Sequence, residues 1–299
     1  MPLAFLASEY APVAPENARF HIIPVPLEYT LSYGAGAARG PAAILEASQQ
    51  LETWDGYSCP GALGIHTAPT VDCNGGLETA LQHIAQSTHE ALAHNALPVL
   101  LGGEHSATLG ALRALKEYYG HFGIVHIDAH ADLRSHYQGA IYSHASVMRR
   151  AVADLGLRLA QFGVRDICLE EVQARRDFNV HFLDAPELAR TGLPAALLPG
   201  DFPETVYISF DVDGLDPAYI PATGTPVPGG LSWYDAMEIV ARCVSKRRVI
   251  GFDVVELAPS PGLHASDYTA ARLVYHIMGL VERLSIPHGA AADAARSRS

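Results

Sequence analysis

The sequence predicts an α/β fold built on one mostly parallel sheet of eight strands, covered by helices on both faces. Two observations carry this prediction. Short apolar runs rich in Val, Ile, Leu and Phe alternate with longer segments of helical periodicity, the pattern of repeated crossovers between parallel strands. The runs that lead into clusters of Asp, His or Glu do so at their carboxyl ends, where open parallel sheets bind ligands.

Taken in order, residues 20–25 form a first strand, and a glycine-bearing loop over 28–40 leads to Pro41, placed to open a helix to about Leu51. Gly34, Gly36 and Gly40 suggest a phosphate-binding turn. The spacing is not G-x-G-x-x-G, however, and no acidic partner follows about 20 residues on. Residues 77–96 place Leu81, Ile84, Ala85, Thr88 and Leu92 on one helical face. A strand over 97–101, a helix from Ser106 to about Tyr119 and a strand over 122–128 follow. A long loop then carries Arg134, His136, Tyr137, Tyr142 and His144 before a helix over 145–155. Long polar and aromatic loops of this kind form substrate pockets.

The alternation continues with a strand over 157–164, a helix over 169–178, a strand over 180–183 and a short helix over 193–198. A strand over 205–212 precedes the stiff, proline-rich loop 217–231, then a helix over 233–246 and a last strand over 249–257. Ser266 is placed to cap a final helix over 267–284. Residues 19–286 read as a single domain, residues 1–18 as an arm lying on the surface or on a neighbouring subunit, and residues 287–299 as a disordered tail.

Composition narrows the function. A net charge of −12, without clustered Lys or Arg, argues against nucleic acid and favours a cationic ligand. Cys59, Cys73, Cys168 and Cys243 are scattered without C-x-x-C spacing, so neither a disulfide framework nor a zinc knuckle is expected. The N-terminal stretch lacks a basic region before its short apolar patch, and no apolar run reaches membrane-spanning length. A cytoplasmic chain without a membrane partner is expected.

The chemistry sits at three strand ends. Residues 124–132 read I-V-H-I-D-A-H-A-D, and in extended backbone Asp128, His130 and Asp132 point to one side, with alanines leaving room between them. Residues 207–213 read Y-I-S-F-D-V-D and present Asp211 and Asp213 in the same way. After the strand at 97–101, Gly102-Gly103-Glu104-His105 allows a sharp exit before His105. Four carboxylates and two imidazoles at close range need neutralising, and two divalent cations would do it. This thiol-free donor set favours Mn²⁺, with Ni²⁺, Co²⁺ and Fe²⁺ also compatible.

These motifs resemble those of the ureohydrolases, the arginase and agmatinase family of binuclear manganese hydrolases. The resemblance rests on G-G-E-H-S at 102–106, D-A-H-A-D at 128–132, S-F-D-V-D-G-L-D-P at 209–217, P-A-T-G-T-P-V-P-G-G-L-S at 221–232 and V-V-E-L-A-P at 254–259. It implies a three-layer α/β/α domain with an eight-stranded parallel sheet, assembled as a homo-oligomer, a trimer or hexamer. It further implies one metal held by His105, Asp128, Asp132 and Asp211, and another by Asp128, His130, Asp211 and Asp213. Glu256 matches the acid that faces the guanidinium, and His144 the mobile histidine that shuttles a proton, with Asp132 able to relay another.

The loop after the metal motif lacks the Asn and Ser pattern of arginases, and D-L-R with Y-S-H-A-S-V-M-R-R looks like the agmatinase branch. Agmatine, cleaved to putrescine and urea, is the expected substrate. Guanidinobutyrate, guanidinopropionate and arginine are the alternatives, with Arg134 a candidate partner for a carboxylate and His136 a second loop candidate for substrate contact. Several residues also have plainer readings. His126 reads as a satisfied core histidine, Glu104 as a support or helix-starting residue, and Arg165 as part of a structural or intersubunit salt bridge. A regulatory homologue would have lost ligands, and a binuclear phosphoesterase would carry a G-N-H-E motif that is absent.

Overall fold

The computed structural model describes residues 3–286, so the predicted tail at 287–299 lies outside the described residues. Eight strands form one sheet in the order β2-β1-β3-β8-β7-β4-β5-β6. They are β1 (Phe20–Val25), β2 (Ile65–Thr67), β3 (Leu97–Gly102), β4 (Gly123–Ile127), β5 (Arg158–Phe162), β6 (His181–Leu183), β7 (Thr205–Asp211) and β8 (Arg248–Val255). Every neighbouring pair is parallel.

Alternate residues of the strands feed two separate cores, as the two-residue period of extended backbone requires. Phe20, Ile22, Val125, Ile127, Ile208 and Phe210 join one apolar cluster with helices α1 (Gly40–Ser48), α6 (Ala185–Thr191), α7 (Trp233–Val244) and α8 (His264–Leu284). Ile23, Val25, Leu100, Ile124, Leu159 and Tyr207 face the other. There they meet α2 (Leu77–Ala93), α3 (Thr108–Tyr119), α4 (Val147–Ala153) and α5 (Leu169–Asp177). Three layers result, as expected.

Three local expectations change. The three-residue β2 is too short to show a period and exists through its pairing with β1. Residues 193–198 are not helical; the helix is α6, opened by Pro186 in its first turn and closed at Gly192 in left-handed backbone. The following loop is held by Arg242, whose guanidinium donates to the carbonyls of Pro194 and Ala195. Ser266 does not cap α8, which starts at His264, and its buried hydroxyl has no hydrogen-bond partner among the described residues. The arm also packs on its own chain, with Phe5 and Leu6 buried and their amides donating to Thr67 Oγ1 and Ser48 Oγ at 2.9 Å.

The sheet order places the site. Strands β3, β8, β7 and β4 are consecutive, so the carboxyl ends that carry His105, Glu256, the Asp211–Asp213 pair and the Asp128–Asp132 cluster lie side by side. No helix among the described residues is long and apolar enough to cross a membrane.

Candidate functional site

The exit from β3 depends on glycine. A Cβ at Gly103 would lie 2.0 Å from the carbonyl oxygen of Leu27, so only glycine lets the two backbones approach there. The chain then turns His105 inward. Its Nδ1 lies 3.2 Å from Asp128 Oδ2, 3.0 Å from Asp132 Oδ2 and 3.2 Å from Asp211 Oδ2. A second group adjoins it, with His130 Nδ1 3.4 Å from Asp128 Oδ1 and 3.2 Å from Asp213 Oδ2. Asp128 divides its two oxygens between the groups, the arrangement of a bridging carboxylate. Asp211 contributes Oδ2 to the first group, while its Oδ1 accepts the Asp213 amide at 2.9 Å.

The protonation of His105 tests whether ions fit. Ser209 Oγ donates to Asp253, so it accepts from His105 Nε2 at 2.9 Å, and that nitrogen carries the proton. Nδ1 is left bare, buried and without a hydrogen-bond partner, facing three carboxylate oxygens. Lone pairs opposed in this way are repulsive unless a cation lies between them. The donor set therefore fits a metal ion, and the second group fits another. Charge balance points the same way. Burial and the neighbouring Asp213 and Asp128 push Asp211 well above the carboxylate range, and burial with Asp128 pushes Asp132 up to about 6. Burial would lower His130, but its hydrogen bonds to Asp128 and Asp213 raise it to about 12.

Glu256 stands at the end of β8 in left-handed backbone (φ 65°), as does Asp132 (φ 53°). Such backbone is sparsely populated by residues with a Cβ and costs about 1–2 kcal/mol. Glu256 Oε1 accepts the His105 amide at 2.6 Å. Burial, with the charge of Glu104 nearby, raises its carboxyl to about 8.

A cavity of about 310 Å³ opens above these groups. Its lining includes His105, His130, Asp132, Asp211, Asp213 and Glu256 on the floor, with Arg134, Tyr137 and His144 on the walls. His144 is gripped by a segment whose role the sequence did not reveal. Thr30 Oγ1 donates to Glu104 Oε1 and so accepts from His144 Nδ1 at 2.8 Å, leaving Nε2 as the basic atom, 2.8 Å from Ser32 Oγ. Burial first, then the neighbouring imidazoles of His105 and His130, lowers His144 to about 4, below the near-neutral value expected for a loop histidine.

The remaining candidates are also placed. The Arg134 guanidinium lies over the Tyr137 ring, 5.5 Å from its centroid. His136 is exposed, bonded to Ser135 Oγ at 2.9 Å, and does not line the cavity. Glu104 is buried and accepts the amides of Tyr29 and Thr30, so it orders the 28–34 loop. Arg165 forms no salt bridge among the described residues; it donates to carbonyls, those of Asp213 and Val227 at 2.7 Å each. Thr30, Ser32, Tyr33 and Asp166 line the cavity without having been singled out. Only the glycines of the 28–40 loop flagged it, and they suggested a different chemistry.

Comparison with known proteins agrees with this geometry. The arginase family profile matches residues 18–279. The chain is 38% identical over 275 residues to the N(1)-aminopropylagmatine ureohydrolase of Thermus thermophilus, covering 89% of this chain and 91% of the relative. It is 34% identical to the agmatinase of Pyrococcus horikoshii, covering 90% and 94%. The crystal structure of the agmatine ureohydrolase of Thermoplasma volcanium superposes with a TM-score of 0.82 at 31% identity, over 94% of each chain. With strand order, donor cluster and cavity agreeing, the chain belongs to the arginase family, near its agmatinase branch, and is a metal-dependent hydrolase of guanidino or amidino C–N bonds.

Proposed function

We propose that the chain uses two Mn²⁺ ions to hydrolyse a linear guanidinoalkylamine, either agmatine or its N(1)-aminopropyl derivative, releasing urea and the free amine. The observation that carries this reading is the Glu256 carboxylate beside the paired donor groups at the cavity floor. The carboxylate-rich donors support manganese, and when bound the pair lowers the pKa of water in the site towards neutrality.

The chain's own residues do the rest. His105 N–H fixes Oε1 of Glu256, leaving Oε2 to hold a planar guanidinium by charge-assisted hydrogen bonding. A cation seated there favours the ionised carboxylate that burial disfavours. Asp132, among the donor groups at the cavity floor, is placed to relay the proton released as water attacks. His144 Nε2, unprotonated at rest, is the atom positioned to take up a proton from solvent and pass it to the departing amine.

The tail of the substrate points to the cavity mouth. Asp166 lines it with a side chain 70% exposed, and Tyr33, 90% exposed, offers a ring face to a cation. Both suit a tail bearing one or more ammonium groups, and the Thermus relative's name supports the longer compound. A guanidino acid is the second reading, favoured by Arg134 in the wall. Urea release over agmatine, N(1)-aminopropylagmatine, guanidinobutyrate and arginine decides between them. Asp166 also lies 4.0 Å from His130 Nε2, so Asp166→Asn touches every substrate; the amine-tailed compounds should lead in the wild type, and the variant should lower their kcat/KM a few-fold more than that of guanidinobutyrate. A tenfold preference for guanidinobutyrate or arginine, about 1.4 kcal/mol, overturns the proposal. A cytoplasmic trimer or hexamer is part of the same proposal, on the resemblance, and light scattering tests the assembly.

A further inference from the structure

Beneath the metal ligands, four polar side chains form a row across the doubly covered sheet. Gln161 of β5 is the register partner of His126 in β4, His126 of Ser209 in β7, and Ser209 of Asp253 in β8. All four are fully buried. Sheets covered on both faces are built mainly from apolar residues, so a buried polar row needs a reason. Its Asp253 end sets the proton of His105, as described above. Its other end performs a different task.

Arg175 of α5, buried and in a two-bond pair with Asp184 at 3.0 Å, donates through Nε to Gln161 Oε1 at 2.9 Å. Arginine only donates, so this contact fixes which end of the Gln161 amide is oxygen. The amide nitrogen then donates to the Ala131 carbonyl at 2.7 Å and to His126 Nδ1 at 3.0 Å. His126 Nδ1 is thereby an acceptor, and its proton must lie on Nε2, which donates to Asp128 Oδ2 at 2.8 Å. Both nitrogens of His126 are engaged, so it is no metal ligand although it lies in the cluster.

We infer that Arg175, Gln161 and His126 are positioning residues that lock a proton on His126 Nε2 and so hold Asp128, the carboxylate shared by the two donor groups, in its bridging orientation. The locked N–H occupies one direction at Oδ2, as the His130 amide does at Oδ1 at 2.6 Å, so the plane of the carboxylate is fixed with a lone pair of each oxygen left for an ion. The inference concerns the metal centre alone and stands whichever guanidino compound is the substrate.

Two substitutions separate this role from simple space filling. In His126→Gln the amide nitrogen can take the place of Nε2 and keep the donor to Asp128. In His126→Asn the shorter side chain can still satisfy Gln161 but cannot reach Asp128. Mn²⁺ titration of the metal-free full-length chain by calorimetry is expected to show the Asn variant 10–100-fold weaker in at least one site and the Gln variant within a few-fold of wild type. Equal affinities in both variants, or a weaker Gln than Asn variant, would overturn the inference. A neutron structure of the Mn²⁺-loaded wild type needs no variant to fold: deuterium on His126 Nε2 and none on Nδ1 is expected, and the reverse would refute the assignment.

Discussion

The floor and the rim of this cavity are built by different means. The floor is a product of strand register: His105, Asp128, Asp132, Asp211 and Asp213 are all nearly fully buried at the ends of β3, β4 and β7, and a polar row one layer down contacts His105 and Asp128. The rim is a product of loops that meet only in the folded chain. His144 is held by Thr30 and Ser32, more than a hundred residues away, and Arg134 rests on Tyr137. Parallel strands leave little freedom at their ends, so a floor built on them is rigid before substrate arrives. Loops joined to one another mainly through hydroxyl contacts can vary at their tips, which suits a surface that must admit one tail and reject another.

On that contrast, changes to the donor groups of the floor should abolish metal binding and changes to the rim should not. The largest effect is expected from Asp128→Asn, which replaces the shared carboxylate by a neutral amide. It should lose at least one ion and nearly all turnover, well beyond the 10²-fold typical of outer-sphere changes. Metal analysis of the dialysed protein checks it, and two retained ions with full activity would refute the bridging role.

Glu256 and His144 sharpen the boundary, because both touch the cavity while neither belongs to the donor groups. His144→Asn should keep both ions and lower kcat by about 10²–10⁴-fold, the usual range for lost acid–base help. Glu256→Gln keeps the shape but removes the charge, and should lower kcat/KM by on the order of 10²-fold with metal content unchanged. Loss of an ion in His144→Asn would move that residue from rim to floor.

The smallest effect is on stability. His144 titrates near 4 in the fold against 6.5 in a free chain, so between those values the unfolded chain binds the extra proton. Stability is therefore complete above about 6.5 and falls as pH drops towards 4. His144→Asn should flatten that part of the profile. Thermal melts of the two Mn²⁺-loaded proteins across this range should converge at acid pH, and parallel curves would show that His144 is not held neutral.

Much of the floor was legible in the sequence because its rule is local. D-A-H-A-D and D-V-D place their side chains by the two-residue period of extended backbone, and the apolar run before each motif announces the strand. The His126 reading as a satisfied core residue followed from its place inside such a run. The partner on its Nδ1, Gln161, held in turn by Arg175, did not, since nothing in R-L-A-Q-F tells which strand will lie beside it. The misplaced short helix at 193–198 has the same origin: its leucines are apolar because they pack, while Pro186 and Gly192 bound the real helix just upstream.

By itself, then, the sequence located every strand but the three-residue β2 and determined the order of the ligand motifs and their chemistry, because backbone periodicity and side-chain charge act over a few residues. Only the tertiary structure decided which oxygens group around His105 and which around His130, which nitrogen of each histidine carries its proton, and which loop closes on His144. Those outcomes depend on hydrogen bonds between segments far apart in the chain, and their geometry exists only once the sheet has brought the strand ends together.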